Sequence, residues 1–270
     1  MNEALRKRIV TAAVLTAALL VVVLLLPKWV TAVVLTLLVL AGGWEWSGFL
    51  RLSGSLPRWA YVAFLALMMF LIWQATESSA GRNIVLAATV AWWLAALAWI
   101  VFAPQRVAPW SAALAGLLAL VPAWVALLRL LYDLSRGPEW TLFTLFLVFA
   151  ADIGAFFAGR RFGRLRLAPS VSPGKTWEGV LGGAAASVLV AVLGADWFGV
   201  PLRSFLPLCL AAVGFSIVGD LTESLLKRFA GVKDSGTLFP GHGGVMDRID
   251  SVTSAAPVLL FGLVVLGVAT

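Results

Sequence analysis

From Ile9 to Leu26 the chain carries no charge and only two hydroxyls, Thr11 and Thr16, and after Pro27 and Lys28 a second apolar run begins at Trp29. Runs of this length match the ~20 residues a helix needs to cross a ~30 Å hydrocarbon layer. They recur along the sequence. Mean hydropathy is +0.99 and 61% of residues are hydrophobic, more apolar surface than a soluble core of 270 residues can bury. The chain therefore reads as an integral membrane protein. In lipid each backbone N–H and C=O must find a partner within the protein, which leaves helices or a closed barrel. The runs do not alternate apolar with polar residues as barrel strands do, so helices are expected.

The expected fold is all-α and polytopic, a single transmembrane domain over 1–270. About nine spans lie near 9–26, 29–50, 59–75, 83–103, 110–131, 140–158, 177–195, 204–226 and 251–269. Proline and charge mark most breaks, as at Pro57-Arg58 and Pro104-Gln105-Arg106. Arg6, Lys7 and Arg8 precede the first run as in a signal peptide. That run is long for such a segment and no small-x-small site precedes Pro27, so a retained helix is expected. With the N-terminus cytoplasmic, about 15 of the 20 lysines and arginines face the cytoplasm, the asymmetry that sets membrane orientation. An odd number of spans then puts the C-terminus outside. The basic charge lies between spans rather than on a soluble face, so nucleic acid is not an expected partner. Cys209 is the only cysteine and reads as helix packing.

Polar chemistry is concentrated in 150–250. Glu45, Asp152, Glu178, Asp220 and Glu223 lie in or beside spans, where an acidic side chain costs roughly 2.5 to 3.5 kcal/mol. Such groups must face a partner charge, a cation or a polar interior. Ser216, Asp220, Glu223 and Lys227 step by four, three and four, which places them on one helix face. Two readings fit that face: an ion-pair cluster tying helices together, or a cation site near the membrane surface. Asp247 and Asp250, three apart with Arg248 between them, would share a face at the start of the ninth span. Carboxylate oxygens of this kind suit Mg²⁺, which keeps waters and binds through one or two carboxylates plus substrate phosphates. His242, the only histidine, has no histidine or cysteine partner and reads as a loop hydrogen-bonding residue. Gly236, Gly241, Gly243 and Gly244 would let the backbone approach an anion closely, with Lys227, Arg228, Lys233 and Arg248 as cations for phosphate.

A second element is SVSPGKTWEG, Ser170 to Gly179. It lacks the first glycine of a Walker A loop, since Pro169 occupies that place. Ser172 as N-cap with Pro173 in the first helical position predicts a helix start there, whose free N–H groups, with Lys175 and Thr176, would hold a phosphate or serve as a cap alone. Asp152 is the only charged residue of its span, and Arg160 and Arg161 stand at the exit, where Gly159 and Gly163 suit close packing.

The run SLLKRFAGVKDSGTLFPGHGGVMDRID, Ser224 to Asp250, resembles the signature of phosphatidate cytidylyltransferases, or CDP-diacylglycerol synthases. SPGKTWEG, the D-x-x-A-F-x-x-G-R-x-F-G segment from Asp152, and the Glu45-Trp46 pair are similar to segments of that family in the same order. The resemblance implies a polytopic enzyme, commonly a homodimer, and with the charge asymmetry above its expected place is the cytoplasmic (inner) membrane. It would join CTP and phosphatidate into CDP-diacylglycerol and pyrophosphate with Mg²⁺, and K⁺ as a further ion. It implies Asp220 and Asp247 as metal ligands. Lys227, Arg228, Lys233, Asp234, His242, Arg248 and Asp250 are then further catalytic candidates, and Asp152, Ser172, Pro173, Lys175, Thr176, Glu178, Ser216, Glu223 and Ser224 candidates for substrate binding. A CDP-archaeol synthase or polyprenol kinase shares the nucleotide logic, and an ion-coupled transporter shares the intramembrane acids.

Overall fold

The computed structural model describes residues 13, 14, 16–236, 238 and 243–269. Among these residues nine helices of ten residues or more follow in order: α1 (Thr16–Leu25), α2 (Lys28–Ser47), α3 (Ser55–Ala75), α4 (Ser79–Phe102), α5 (Pro109–Asp133), α6 (Gly137–Phe162), α7 (Trp177–Phe198), α8 (Leu202–Ala230) and α9 (Met246–Val265). Eight of them, α2 to α9, are long and apolar enough to cross a membrane, and the protein is a multi-pass membrane protein. α1 widens into a π-helical turn at Val21–Leu25 and stops at Leu26, whose extended backbone is what the following Pro27 requires. The part of the first expected span before residue 13 lies outside the described residues.

The ends are set by local chemistry. Ser78 caps α4 by accepting from Gly81 N at 3.1 Å. At α5, Ser111 Oγ accepts from Ala108 N at 3.0 Å, and Pro109, which needs no hydrogen bond for its nitrogen, takes the first position. α5 is apolar around its circumference and is buried along most of its length. It is the central post, with α9, α2, α3 and α6 against it and α4 further out. α6 and α7 pack through small residues: a Cβ on Gly154 would stand 2.5 Å from Gly182 O, so the two backbones approach as only glycine allows.

Two expectations change. The polar stretch between α6 and α7 is not a helix start at Ser172 but an antiparallel hairpin, β1 (Arg166–Ala168) with β2 (Ser172–Thr176). α7 begins at Trp177, because Thr176 Oγ accepts from Gly179 N at 3.2 Å and takes the capping role predicted for Ser172. The last span also starts earlier than expected, at Met246, which brings Asp247 and Asp250 into its first two turns.

Candidate active site

α8 and α9 run antiparallel. Ser254 Oγ donates to Phe215 O at 2.7 Å, and further toward the α8 C-terminus Lys227 meets Asp247. Side chains in a helix lean toward its N-terminus, so the Lys227 ammonium reaches back to Glu223. Nζ lies 2.8 Å from Glu223 Oε2 and 2.8 Å from Asp247 Oδ1. Glu223 is 1% exposed, and a carboxylate so buried persists only with a charged partner. Its second oxygen, Oε1, has no hydrogen-bond partner among the described residues, and the neighbouring group is the Asp250 carboxyl. Two such oxygens attract one another only across a proton or a cation.

One helical face further round, Asp220 forms an ion pair with Lys175 of β2 and accepts from Ser224 Oγ at 3.3 Å. Asp152 of α6 and Ser251 of α9 complete that side. Asp152, Asp220, Glu223, Asp247 and Asp250 stand against Lys175, Lys227 and Arg248, five ionisable acids against three cations, an excess of two. One divalent cation, or protons shared among the buried carboxyls, would balance that excess. Among the described residues no three Asp, Glu, His or Cys side chains converge into a metal-binding group, so a metal here would draw further ligands from water and phosphate, as Mg²⁺ does.

The two expected metal ligands share the α8–α9 face but are not adjacent. Asp247 touches α8 at Lys227, seven residues from Asp220, roughly 10 Å along a helix rising 1.5 Å per residue. Asp247 is also heavily engaged. Its Oδ2 accepts from Gly244 N at 2.8 Å and from Ser235 N and Oγ at 3.0 Å each. Only Oδ1, shared with Lys227, is open to exchange.

The glycine-rich loop does approach anions closely, and those anions are the protein's own. Glu45 near the end of α2 accepts from Val245 N at 3.0 Å, Met246 N at 2.8 Å and Ser235 Oγ at 2.8 Å. A Cβ on Gly244 would collide with Glu45 Oε2, and one on Gly236 with Glu45 Oε1. Glu45 is the site residue that the sequence set least apart. An acid followed by tryptophan at a span end was visible, but its partners stand 190 to 201 positions away.

The sequence matches the Cytidylyltransferase family over residues 6–266. The chain belongs to this family. It is 39% identical over 278 residues to the phosphatidate cytidylyltransferase of Haemophilus influenzae, covering 94% of this chain and 96% of that one. It is 40% identical to that of Pseudomonas aeruginosa, covering 94% and 95%. A chloroplastic phosphatidate cytidylyltransferase of Arabidopsis thaliana is 46% identical over a shorter stretch, 38% of this chain and 27% of that one.

A cytidylyltransferase must hold a nucleotide polyphosphate, and the cluster has cations at its rim. Arg228, Lys233 and Arg248 are exposed, as is Asp234. Lys175 and Lys227 stand further in, each on a carboxylate. Other expected residues serve the scaffold: Glu178 accepts from Leu165 N at 3.2 Å and fastens the hairpin, and Ser216, buried, donates to Val213 O of its own helix. Ser172 is half-buried and Pro173 exposed on β2. His242 and Gly241 lie outside the described residues.

Proposed function

We propose that the protein transfers the cytidylyl group of CTP to phosphatidate, giving CDP-diacylglycerol and pyrophosphate. The observation that carries this reading is a polar cluster with cations at its rim, built where α6, α8, α9 and the hairpin meet at one end of an apolar bundle, in a chain of the Cytidylyltransferase family. One substrate is anchored in lipid and the other dissolved in water, so the reaction belongs at helix ends. The lipid phosphate, with a second pKa of about 6, is a dianion at neutral pH and attacks the α-phosphorus of CTP without a strong general base. The P–O bond to pyrophosphate breaks as the new P–O bond forms, and the protein's task is to align two polyanions and offset their charge.

Lys175, Lys227, Arg228, Lys233 and Arg248 supply that positive charge, and Ser172 and Thr176 stand at the hairpin as hydroxyl donors. Mg²⁺, when bound, supplies Lewis-acid charge for the phosphate oxygens. Asp220 would hold it directly, with Asp247, whose contact on α8 lies roughly 10 Å further along that helix, reaching it through water or substrate phosphate from Oδ1. Glu223 and Asp250 contribute negative charge that a monovalent ion such as K⁺ would offset. Counting lysines and arginines by loop supports a cytoplasmic N-terminus and a cytoplasmic site in the inner membrane. The reading includes the homodimer that the family resemblance implies, to be checked by crosslinking in native membranes.

Purified protein with radiolabelled CTP, phosphatidate and Mg²⁺ should place label in the lipid extract with one pyrophosphate released per lipid. Release of CDP with a phosphorylated lipid would mean kinase chemistry and contradict the proposal.

A further inference from the structure

Glu45 belongs to α2, far in sequence from the acids of the cluster, yet both its oxygens are spent on the start of α9. The first N–H groups of a helix have no partner within it, and here Val245 N and Met246 N donate to the two Glu45 oxygens, at 3.0 and 2.8 Å. A carboxylate at that position also meets the positive end of the helix dipole. The Glu45 backbone is held in turn: the adjacent Trp46, 1% exposed, donates Nε1 to Ala112 O at 2.8 Å, and Arg58 grips Trp44 O and Ser47 Oγ at 2.8 Å each. Glu45 is thus a fixed post of the central bundle.

From it a short chain of bonds leads to Asp247. Ser235 Oγ lies 2.8 Å from Glu45 Oε2 and 3.0 Å from Asp247 Oδ2, with one proton for the two acceptors. Ser235 N donates to the same Asp247 oxygen at 3.0 Å. Because Gly236 and Gly244 lack side chains, loop backbone closes on Glu45 from both sides. We infer that Glu45 is a positioning residue of the reacting site: it pins the α9 N-terminus and, through Ser235, fixes the direction in which Asp247 presents Oδ1. This rests on the proposed function in so far as Asp247 belongs to the site, and it assigns the N-terminal half a share in building that site.

The test is Glu45→Gln in the full-length protein in detergent or nanodiscs, with Glu45→Asp as the conservative variant. Glutamine keeps the shape but turns an NH₂ donor toward a backbone donor. Amide exchange at Val245 and Met246 should accelerate about tenfold or more, as expected when a local bond of an otherwise stable fold is lost. With it, kcat should fall about tenfold or more at a KM for CTP within about twofold of wild type, the mark of misaligned reacting groups rather than weakened binding. Glu45→Asp, keeping the charge, should lie between the two, and the unfolding midpoint should fall by no more than the loss of a single helix cap costs. Unchanged exchange at Val245 and Met246, unchanged kcat, or exchange rising throughout α2 and α9 together with a midpoint lowered beyond that would each overturn the inference. The exchange readout does not depend on the reaction, so wild-type protein lacking cytidylyl transfer would sink the proposed function alone.

Discussion

At the scale of single residues the site is a chain of charges, and Lys227, 2.8 Å from both Glu223 and Asp247, is its central link. Removing one partner of a buried pair leaves the other charge stranded, at a cost of about 3 kcal/mol or more. Lys227→Met should therefore lower the unfolding midpoint of the detergent-solubilised protein clearly, since it strands Glu223, which is 1% exposed. Adding Glu223→Leu should restore much of the loss. A single variant as stable as wild type would show that the pair carries no such load. The face formed by Asp220, Glu223 and Lys227 was legible in the sequence, because helical spacing alone aligns them. What Asp247 does was not: its bonds to Ser235, Gly244 and Lys227 depend on how a loop folds back, and no periodicity encodes that.

At the scale of elements, hydropathy located the spans, since lipid makes length and apolarity the controlling variables. The hairpin escaped because strands of three and five residues carry too little pattern, and Ser172-Pro173 offered a plausible helix start. The better signal stood four residues on: Thr176 immediately precedes the apolar run of α7, with Glu178 in its first turn. Thr176→Ala should destabilise the protein by about 1 kcal/mol, the usual value of an N-cap, read as a lowered midpoint. Ser172→Ala should leave the midpoint in place, whereas a shift for Ser172 and none for Thr176 would restore the earlier helix start. The close α6–α7 contact gives a further expectation. Gly182→Leu should force these helices apart, with loss of folded protein after detergent extraction, whereas Gly199→Ala, in open space but at φ 67°, should cost far less.

At the scale of the whole molecule, the acid-rich cluster lies at one end of an apolar bundle, with the Arg82, Arg129 and Asp133 ion pairs at the other, a placement that suits a lipid substrate meeting a soluble one. Orientation can be read chemically, because Cys209, the only cysteine, is fully buried and gives little background. Arg164→Cys, on the site end, should react with an impermeant maleimide in inverted membrane vesicles and not in spheroplasts, and Arg203→Cys should show the reverse. The opposite labelling would place the site outside. In the proposed transfer, Asp220 and its neighbours on α8 and α9 are where the two phosphates must meet. The most direct test is transfer of label from CTP to phosphatidate by purified Asp220→Asn protein, with folding verified by an unchanged unfolding midpoint. Turnover should fall below about a thousandth of wild type, in line with loss of a charged group central to phosphoryl transfer. Wild-type turnover from that folded variant would contradict the account.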